Sequence, residues 1–165
     1  KTSNSKCLIT GSAGTGKSYI IYIIIKISEQ RNSNYLLLVL TGVAAQNVGG
    51  KTIHSELQIA STQTGFISKA FADKDFKTYL QKINTIIIEE ILMVLAELLD
   101  FISNLFARLH NNATAFGGIN VIVVDENIFS SGQAYIALSR CSTWNNIEIS
   151  HLNESVFFVN EDVIV

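Results

Sequence analysis

Proline is absent from this 165-residue chain, and cysteine occurs only twice, at Cys7 and Cys141. The two cysteines lie too far apart for the paired spacing of a metal site, and we interpret Cys7 as a core residue of a first strand. No apolar run approaches the roughly 20 residues that a membrane span requires, because residues 19–25 end at Lys26. No signal peptide is found, so we expect an intracellular protein without a membrane partner. Since the only methionine is Met93, we also expect the chain to be a piece of a longer one.

An excess of positive charge is also missing, since the formal net charge is −2 at pH 7 and the pI is near 5.9. This balance argues against a global basic field for nucleic-acid binding, although a local basic groove would suffice. We interpret the lysines between residues 69 and 82 as a solvated face. The length suits one domain with a sizeable core, and not two.

The most informative stretch is residues 11–18, which read G-x-x-x-x-G-K-S between an apolar strand-like run and a long apolar segment. This is the pattern of a phosphate-binding loop, whose glycines let backbone N–H groups wrap the phosphates of a nucleotide. Lys17 is predicted to reach the β- and γ-phosphates of ATP, and the Ser18 hydroxyl to bind Mg²⁺. The candidate nucleotide-binding residues are Gly11, Ser12, Ala13, Gly14, Thr15, Gly16, Lys17 and Ser18.

Apolar runs and turn signals predict alternating strands and helices. Strands are predicted at residues 7–10, 35–40, 85–88 and 119–124, with short closing strands at 147–149 and 156–159. Helices are predicted at residues 17–30, 43–48, 93–110 and 130–139, and residues 60–82 as a loop and a surface helix. The first helix is rich in β-branched isoleucine, and we expect it to be buried on most sides. The alternation favours an α/β fold with a mostly parallel sheet and helices on both faces.

Two carboxylates, Glu89 and Glu90, follow the apolar run at residues 86–88. A strand that ends in acidic residues at the carboxyl edge of an α/β sheet suits a metal–nucleotide site. The first carboxylate, Glu89, is predicted to hold Mg²⁺, and the second, Glu90, to orient or deprotonate the hydrolytic water. Alone such a pair is a weak signal, and its weight comes from the phosphate loop upstream.

Together these motifs resemble the PIF-one-like (petite integration frequency) DNA helicases, RecD-like members of helicase superfamily one. One block of the resemblance covers residues 6–124, with the phosphate loop, Thr-Gly-Val-Ala-Ala at 41–45, Gly-Gly-Lys-Thr-Ile-His-Ser at 49–55, and the acidic segment at 87–93. A second block, residues 131–140, is similar to the sixth motif of the family. The resemblance implies a P-loop NTPase lobe of the RecA-like type at residues 1–124. Residues 125–165 would be the remnant of a second motor lobe, packed on the same sheet.

The resemblance also implies roles for individual residues. Thr41, Gly42 and the stretch Thr52 to His54 would line the path of single-stranded DNA. Gln133 would contact the nucleotide, and Arg140 would stabilise the departing γ-phosphate. From the residues alone, a turn and a hydrogen-bonded histidine remain the preferred interpretation of the DNA-path residues. The implied activity is ATP-driven 5′-to-3′ unwinding of DNA in repair, recombination and telomere maintenance, on single-stranded or forked DNA, in the nucleus or the mitochondrion.

Three departures from the family pattern bear on activity. Glu89 stands where the family has Asp, so we expect slower hydrolysis, because Mg²⁺ tolerates little departure from octahedral geometry. The family's Gly-Asp…Gln-Leu-Pro-Pro element does not follow Val124, which explains part of the missing proline. Nearly all of the second motor lobe is missing. We therefore expect Mg-ATP binding and weak hydrolysis without processive unwinding. A nucleotide-binding module without turnover stays open as an alternative, and so does a small phosphotransferase.

Overall fold

The protein structure is a computed structural model that describes residues 5–11, 14–91, 94–125 and 147–148. The strands are β1 Lys6–Thr10, β2 Tyr35–Val39, β3 Lys51–Thr52, β4 Ile59–Thr62, β5 Gly65–Ser68, β6 Thr85–Glu89, β7 Asn120–Asp125 and β8 Ile147–Glu148. The α-helices are α1 Lys17–Gln30, α2 Gly42–Val48, α3 Ile53–Glu56, α4 Lys74–Gln81 and α5 Ala96–Leu109. Short 3₁₀ turns lie at Lys69–Phe71 and Ala115–Gly118.

Six of these strands form one sheet in the order β3-β2-β6-β7-β1-β8. Every strand pair described in this sheet is parallel. Parallel strands need crossovers that cover the sheet, which explains why β2 and β6 are almost continuous runs of buried leucine and isoleucine. The predicted mostly parallel α/β sheet is confirmed.

Alternate residues of β2 and β6 enter two separate apolar clusters. Leu38 and Ile88 belong to the larger cluster, which includes the buried face of α5. Leu37 and Ile87 belong to a smaller cluster with Ile21 of α1. Since side chains of successive strand residues point to opposite faces, α1 and α5 cover opposite faces of the sheet. The predicted arrangement of helices on both faces is confirmed.

Helix α1 has the bounds that the sequence predicts, but its burial is different. Only Lys17, Ile21 and Ser28 of this helix are buried, and Tyr19 is 66% exposed. The expectation of a helix buried on most sides is therefore wrong within the described residues. Only a narrow stripe of the helix surface packs against the sheet, whereas the isoleucines and tyrosines of the helix occupy its whole circumference.

The bounds of several other strands and helices differ from the predicted ones. Residues 59–68 form an antiparallel hairpin, β4–β5, where a loop was predicted. Three of the four β4 residues are exposed, so this strand lacks the apolar run that the other strands show. Helix α5 begins at Ala96, not at residue 93, because Leu95 is extended and acts as its N-cap. The helix predicted at 130–139 and the strand predicted at 156–159 lie outside the described residues.

Glu56 ties the segment of β3 and α3 to helix α4. Its carboxylate accepts a hydrogen bond from the Tyr79 hydroxyl at 2.7 Å and pairs with the Lys51 ammonium at 2.7 Å. Burial of the phenol, and then its hydrogen bond to the Glu56 carboxylate, raise the pKa of Tyr79 from 10.0 to about 12. The neutral phenol is therefore the form that the fold stabilises.

We expect Tyr79→Phe to lower the free energy of unfolding by about 1 kcal/mol at pH 8, because one hydrogen bond to a carboxylate is lost. A folded-state pKa above the unfolded value gives a contribution that is complete below about pH 10. This contribution disappears as the pH rises through about 12. Urea unfolding at pH 8 and pH 11 should therefore show a smaller difference at the higher pH. Tyr22→Phe, an exposed tyrosine on α1, is the control. A constant Tyr79→Phe difference at both pH values would contradict the assignment.

Candidate nucleotide and nucleic-acid site

The phosphate-loop pattern lies between the end of β1 and the start of α1. Gly16 is the N-cap of α1 and has φ 89°, a left-handed conformation that glycine adopts without strain. The first turn of α1 contains no acidic side chain. Since the amino end of a helix carries unpaired N–H groups and a positive dipole, this loop is built to receive an anion.

Lys17 is held inside this loop and does not extend into solvent. The residue is 5% exposed, and its ammonium Nζ donates a hydrogen bond to the Gly11 carbonyl at 2.8 Å. The carbonyl is itself part of the loop, so the lysine links the beginning of the loop to its end. A buried ammonium in a loop of backbone N–H groups favours a highly charged anion such as a triphosphate.

The acidic pair lies at the carboxyl end of β6. Glu89 is the last residue of the strand and is 5% exposed. Glu90 has φ 59°, which is uncommon for a residue other than glycine, and its N–H donates to the Val124 carbonyl at 2.9 Å. The backbone therefore turns directly after the strand, with Glu89 as the last strand residue and Glu90 as the first residue beyond it.

The strand register places the predicted ATP and DNA segments in one row. Glu89 is paired with Val124 of β7, and Val124 is paired with Ile9 of β1, directly before the loop. On the other side, β2 continues the register to Val39, which is paired with Thr52 of β3. With strands about 4.8 Å apart, the Glu89 backbone lies about 10 Å from β1 and about 10 Å from β3.

The predicted DNA-path residues all lie at or just after the carboxyl ends of parallel strands. The Thr41 hydroxyl caps α2 by accepting from the Ala44 N–H at 3.2 Å, and the Thr52 hydroxyl caps α3 by accepting from the Ser55 N–H at 3.3 Å. Gly42 is the exposed first residue of α2, and His54 is half-buried. Both threonines therefore have a structural task, which the preference of threonine for N-caps explains.

The structure also brings together aromatic residues that the sequence analysis missed. The ring centroid of His54 lies 6.4 Å from that of Phe66 in the β4–β5 hairpin. Phe66 in turn lies 5.9 Å from Phe101 of α5. The cluster has no clear sequence signal, because the exposed β4 residues carry no apolar alternation and only the tertiary fold brings the three rings together.

Four of the predicted site residues, Ser12, Ala13, Gln133 and Arg140, lie outside the described residues. Within the described part of the chain, no group of three His, Cys, Asp or Glu side chains forms a metal cluster. The Ser18 hydroxyl of the loop and the strand-end carboxylate of Glu89 fit a hard divalent cation that takes its other ligands from water and phosphates. The donor set therefore suits Mg²⁺ bound together with a nucleotide. None of the helices in the described ranges is long and apolar enough to cross a membrane.

Comparison with known proteins identifies the family. The family model described as PIF1-like helicase matches residues 1–156. The ATP-dependent DNA helicase PIF1 of Saccharomyces cerevisiae (strain YJM789) is 36% identical over 124 residues, which are 68% of this chain and 14% of that protein. The ATP-dependent DNA helicase RRM3 of Saccharomyces cerevisiae (strain ATCC 204508 / S288c) is 34% identical over 122 residues, which are 71% of this chain and 17% of that protein. The chain thus spans less than a fifth of either relative.

Solved structures agree with this result. A Pif1 helicase from Bacteroides, crystallised in complex with ADP-AlF3 and ssDNA, superposes with a TM-score of 0.64 at 28% identity. The superposition covers 84% of this chain and 33% of that one. The Pif1 helicase from Candida albicans superposes with a TM-score of 0.62 at 30% identity, over 75% of this chain and 29% of that one. The P-loop NTPase fold that the resemblance implied is confirmed, and the chain belongs to the PIF1-like helicase family.

Proposed function

We propose that this chain binds Mg-ATP in the loop at residues 11–18 and hydrolyses it in a reaction coupled to DNA. The observation that carries the proposal is the parallel register, which sets the buried Lys17 loop and the buried Glu89 at the same edge of one sheet. The comparisons support it, because the relatives are named ATP-dependent DNA helicases and one Bacteroides structure contains ADP-AlF3 and ssDNA.

The chain's own residues divide the work. The loop N–H groups and the amino end of α1 hold the phosphates, and Lys17 neutralises charge on the β- and γ-phosphates. Ser18 and Glu89 are the residues that would hold Mg²⁺. When bound, this ion would neutralise charge on the phosphate oxygens. Glu90 orients the attacking water and accepts its proton. Thr41, Gly42, Thr52 and His54 contact single-stranded DNA on the far side of Glu89.

The proposal extends to the parts of the chain outside the described residues. Residues 1–124 are the first motor lobe, and residues 125–165 are the remnant of a second lobe that carries Gln133 and Arg140. Those two side chains contact the nucleotide and stabilise the leaving γ-phosphate. For the family activity we propose 5′-to-3′ unwinding of duplex DNA in repair, recombination and telomere maintenance, with single-stranded or forked duplex DNA as the partner, in the nucleus or the mitochondrion. For this chain we propose weak hydrolysis without processive unwinding.

We expect Lys17→Ala to raise the Kd for Mg-ATP about 10- to 100-fold, because hydrogen bonds to charged groups are worth about 1.5–3 kcal/mol. Isothermal titration calorimetry measures this Kd. Lys26→Ala is the matched control, since Lys26 lies on the same helix, exposed, and pairs with Glu29 at 2.8 Å. Equal affinities for the Lys17 variant and the unchanged chain would remove the proposed nucleotide site.

We expect Glu90→Gln to slow phosphate release about 10²- to 10⁴-fold without changing ATP affinity, because the general base is lost. Glu90→Gly should slow it equally and also raise the free energy of unfolding by about 1 kcal/mol, since glycine adopts the φ of 59° without strain. Phosphate release and urea unfolding check the two effects. If ATP binding depends on Lys17 but Glu90→Gln does not reduce phosphate release, the result would favour the alternative of a nucleotide-binding module without turnover.

We expect Glu89→Asp to increase the ATPase rate, because Asp is the residue of the family pattern and Mg²⁺ requires near-octahedral ligand geometry. The rate is measured as phosphate release at saturating Mg-ATP. Glu97→Asp on the exposed side of α5 is the control for the loss of one methylene. An unchanged or lower rate for Glu89→Asp would show that the longer side chain is no handicap.

A further inference from the structure

A groove of about 350 Å³ lies between the β4–β5 hairpin and helix α5. Its volume is at the lower end of the range of about 300–1,000 Å³ for small-ligand sites. The lining residues are Phe66, Ile67, Ser68, Phe71, Phe101, Asn104, Leu105 and Arg108. The lining is mostly apolar and aromatic, it includes one cation, and none of these eight side chains is a carboxylate.

Two cationic side chains lie close to the ring of Phe71. The guanidinium carbon of Arg108 lies 4.2 Å from the ring centroid, and the Lys77 ammonium lies 5.6 Å from it. Phe71 is nevertheless 41% exposed, so part of its ring surface is open to a ligand. Exposed aromatic rings with adjacent cations are what single-stranded nucleic acid uses, because bases stack on rings and guanidinium planes while phosphates attract the cations.

A row of rings connects the groove to the predicted DNA path. His54, which the resemblance places on that path, contacts Phe66, and Phe66 contacts Phe101 at 5.9 Å. Phe66 and Phe101 both line the groove. A strand that passes His54 therefore needs no long excursion to reach the groove.

We infer that this groove takes one unstacked base of single-stranded DNA, which stacks on Phe71 and Arg108. The inference rests on the proposed function, because it places the strand at His54. A nucleotide suits both features of the groove, since its base uses the rings and its phosphate uses the cations. An apolar peptide would fill the rings alone and leave the positive charge unused.

The test is fluorescence anisotropy of the full chain with a fluorescein-labelled oligothymidylate of about 12 nucleotides. We expect Phe71→Leu to raise its Kd about 5- to 100-fold, since base stacking on an aromatic ring is worth about 1–3 kcal/mol. Phe71→Trp should lower the Kd, because its ring system is larger. An abasic oligonucleotide of the same length should bind all three proteins alike. Arg108→Gln should weaken binding and should reduce the slope of log K against log salt concentration by up to about 0.7.

Two controls remove matched groups elsewhere. Tyr22→Leu deletes an exposed ring that has the Lys26 ammonium 5.6 Å from its centroid, and Arg31→Gln deletes an exposed guanidinium. Both should leave the Kd unchanged, and circular dichroism should show that every variant is folded.

The outcomes separate the groove from the proposed function. If the chain binds DNA and His54→Ala weakens binding while Phe71→Leu does not, the groove is overturned and the proposed DNA path stands. An apolar peptide in the groove would tolerate Phe71→Leu, so this result would favour such a peptide as the occupant. If the unchanged chain does not bind the oligonucleotide at all, the DNA part of the proposed function fails and the groove fails with it. Opposite effects of Leu and Trp, seen only with the base-containing oligonucleotide, support the groove.

Discussion

The parallel backbone pairing of β6 between β2 and β7 is the constraint on which the rest of the molecule depends. Parallel strands share a direction, so every loop that follows a strand emerges at one edge of the sheet. The loop after β1, the acidic pair at the end of β6 and the caps at the ends of β2 and β3 are therefore neighbours, although about 70 residues separate the first from the second. A slip of one residue in β6 would turn Glu89 to the other face and bury a different set of isoleucines.

The two faces of the sheet are packed unequally, and this follows from how each helix distributes its apolar residues. Helix α5 keeps its buried residues on one side, where they join the larger cluster with β2 and β6. Helix α1 places isoleucine and tyrosine around its whole circumference but contacts the sheet along one stripe. The apolar content of a helix alone therefore does not predict how much of the helix is buried, because burial depends on the neighbours that the helix has on each side.

The elements that could be predicted from the sequence are those with a strong local signal. The phosphate-loop pattern predicts the observed start of α1 and the turn signals after residue 30 predict its end, and the predicted ends of β2 and β6 differ from the observed ones by one residue. The β4–β5 hairpin was missed because its exposed strand residues carry no apolar alternation. The groove beside it was missed for the same reason, since its residues come from the hairpin, a 3₁₀ turn and α5, and only the tertiary fold brings them together.

Glu90 could be predicted from the sequence as the second carboxylate after an apolar strand, but its left-handed backbone could not. A left-handed conformation costs a residue with a side chain roughly 1–2 kcal/mol, and glycine avoids this cost. The N–H of Glu90 is nevertheless fixed by the Val124 carbonyl at 2.9 Å, so the conformation is enforced by β7 and is not a local accident. Stability alone would favour glycine at this position. We propose that the water-activating role of Glu90 accounts for a carboxylate that the fold holds there at a cost.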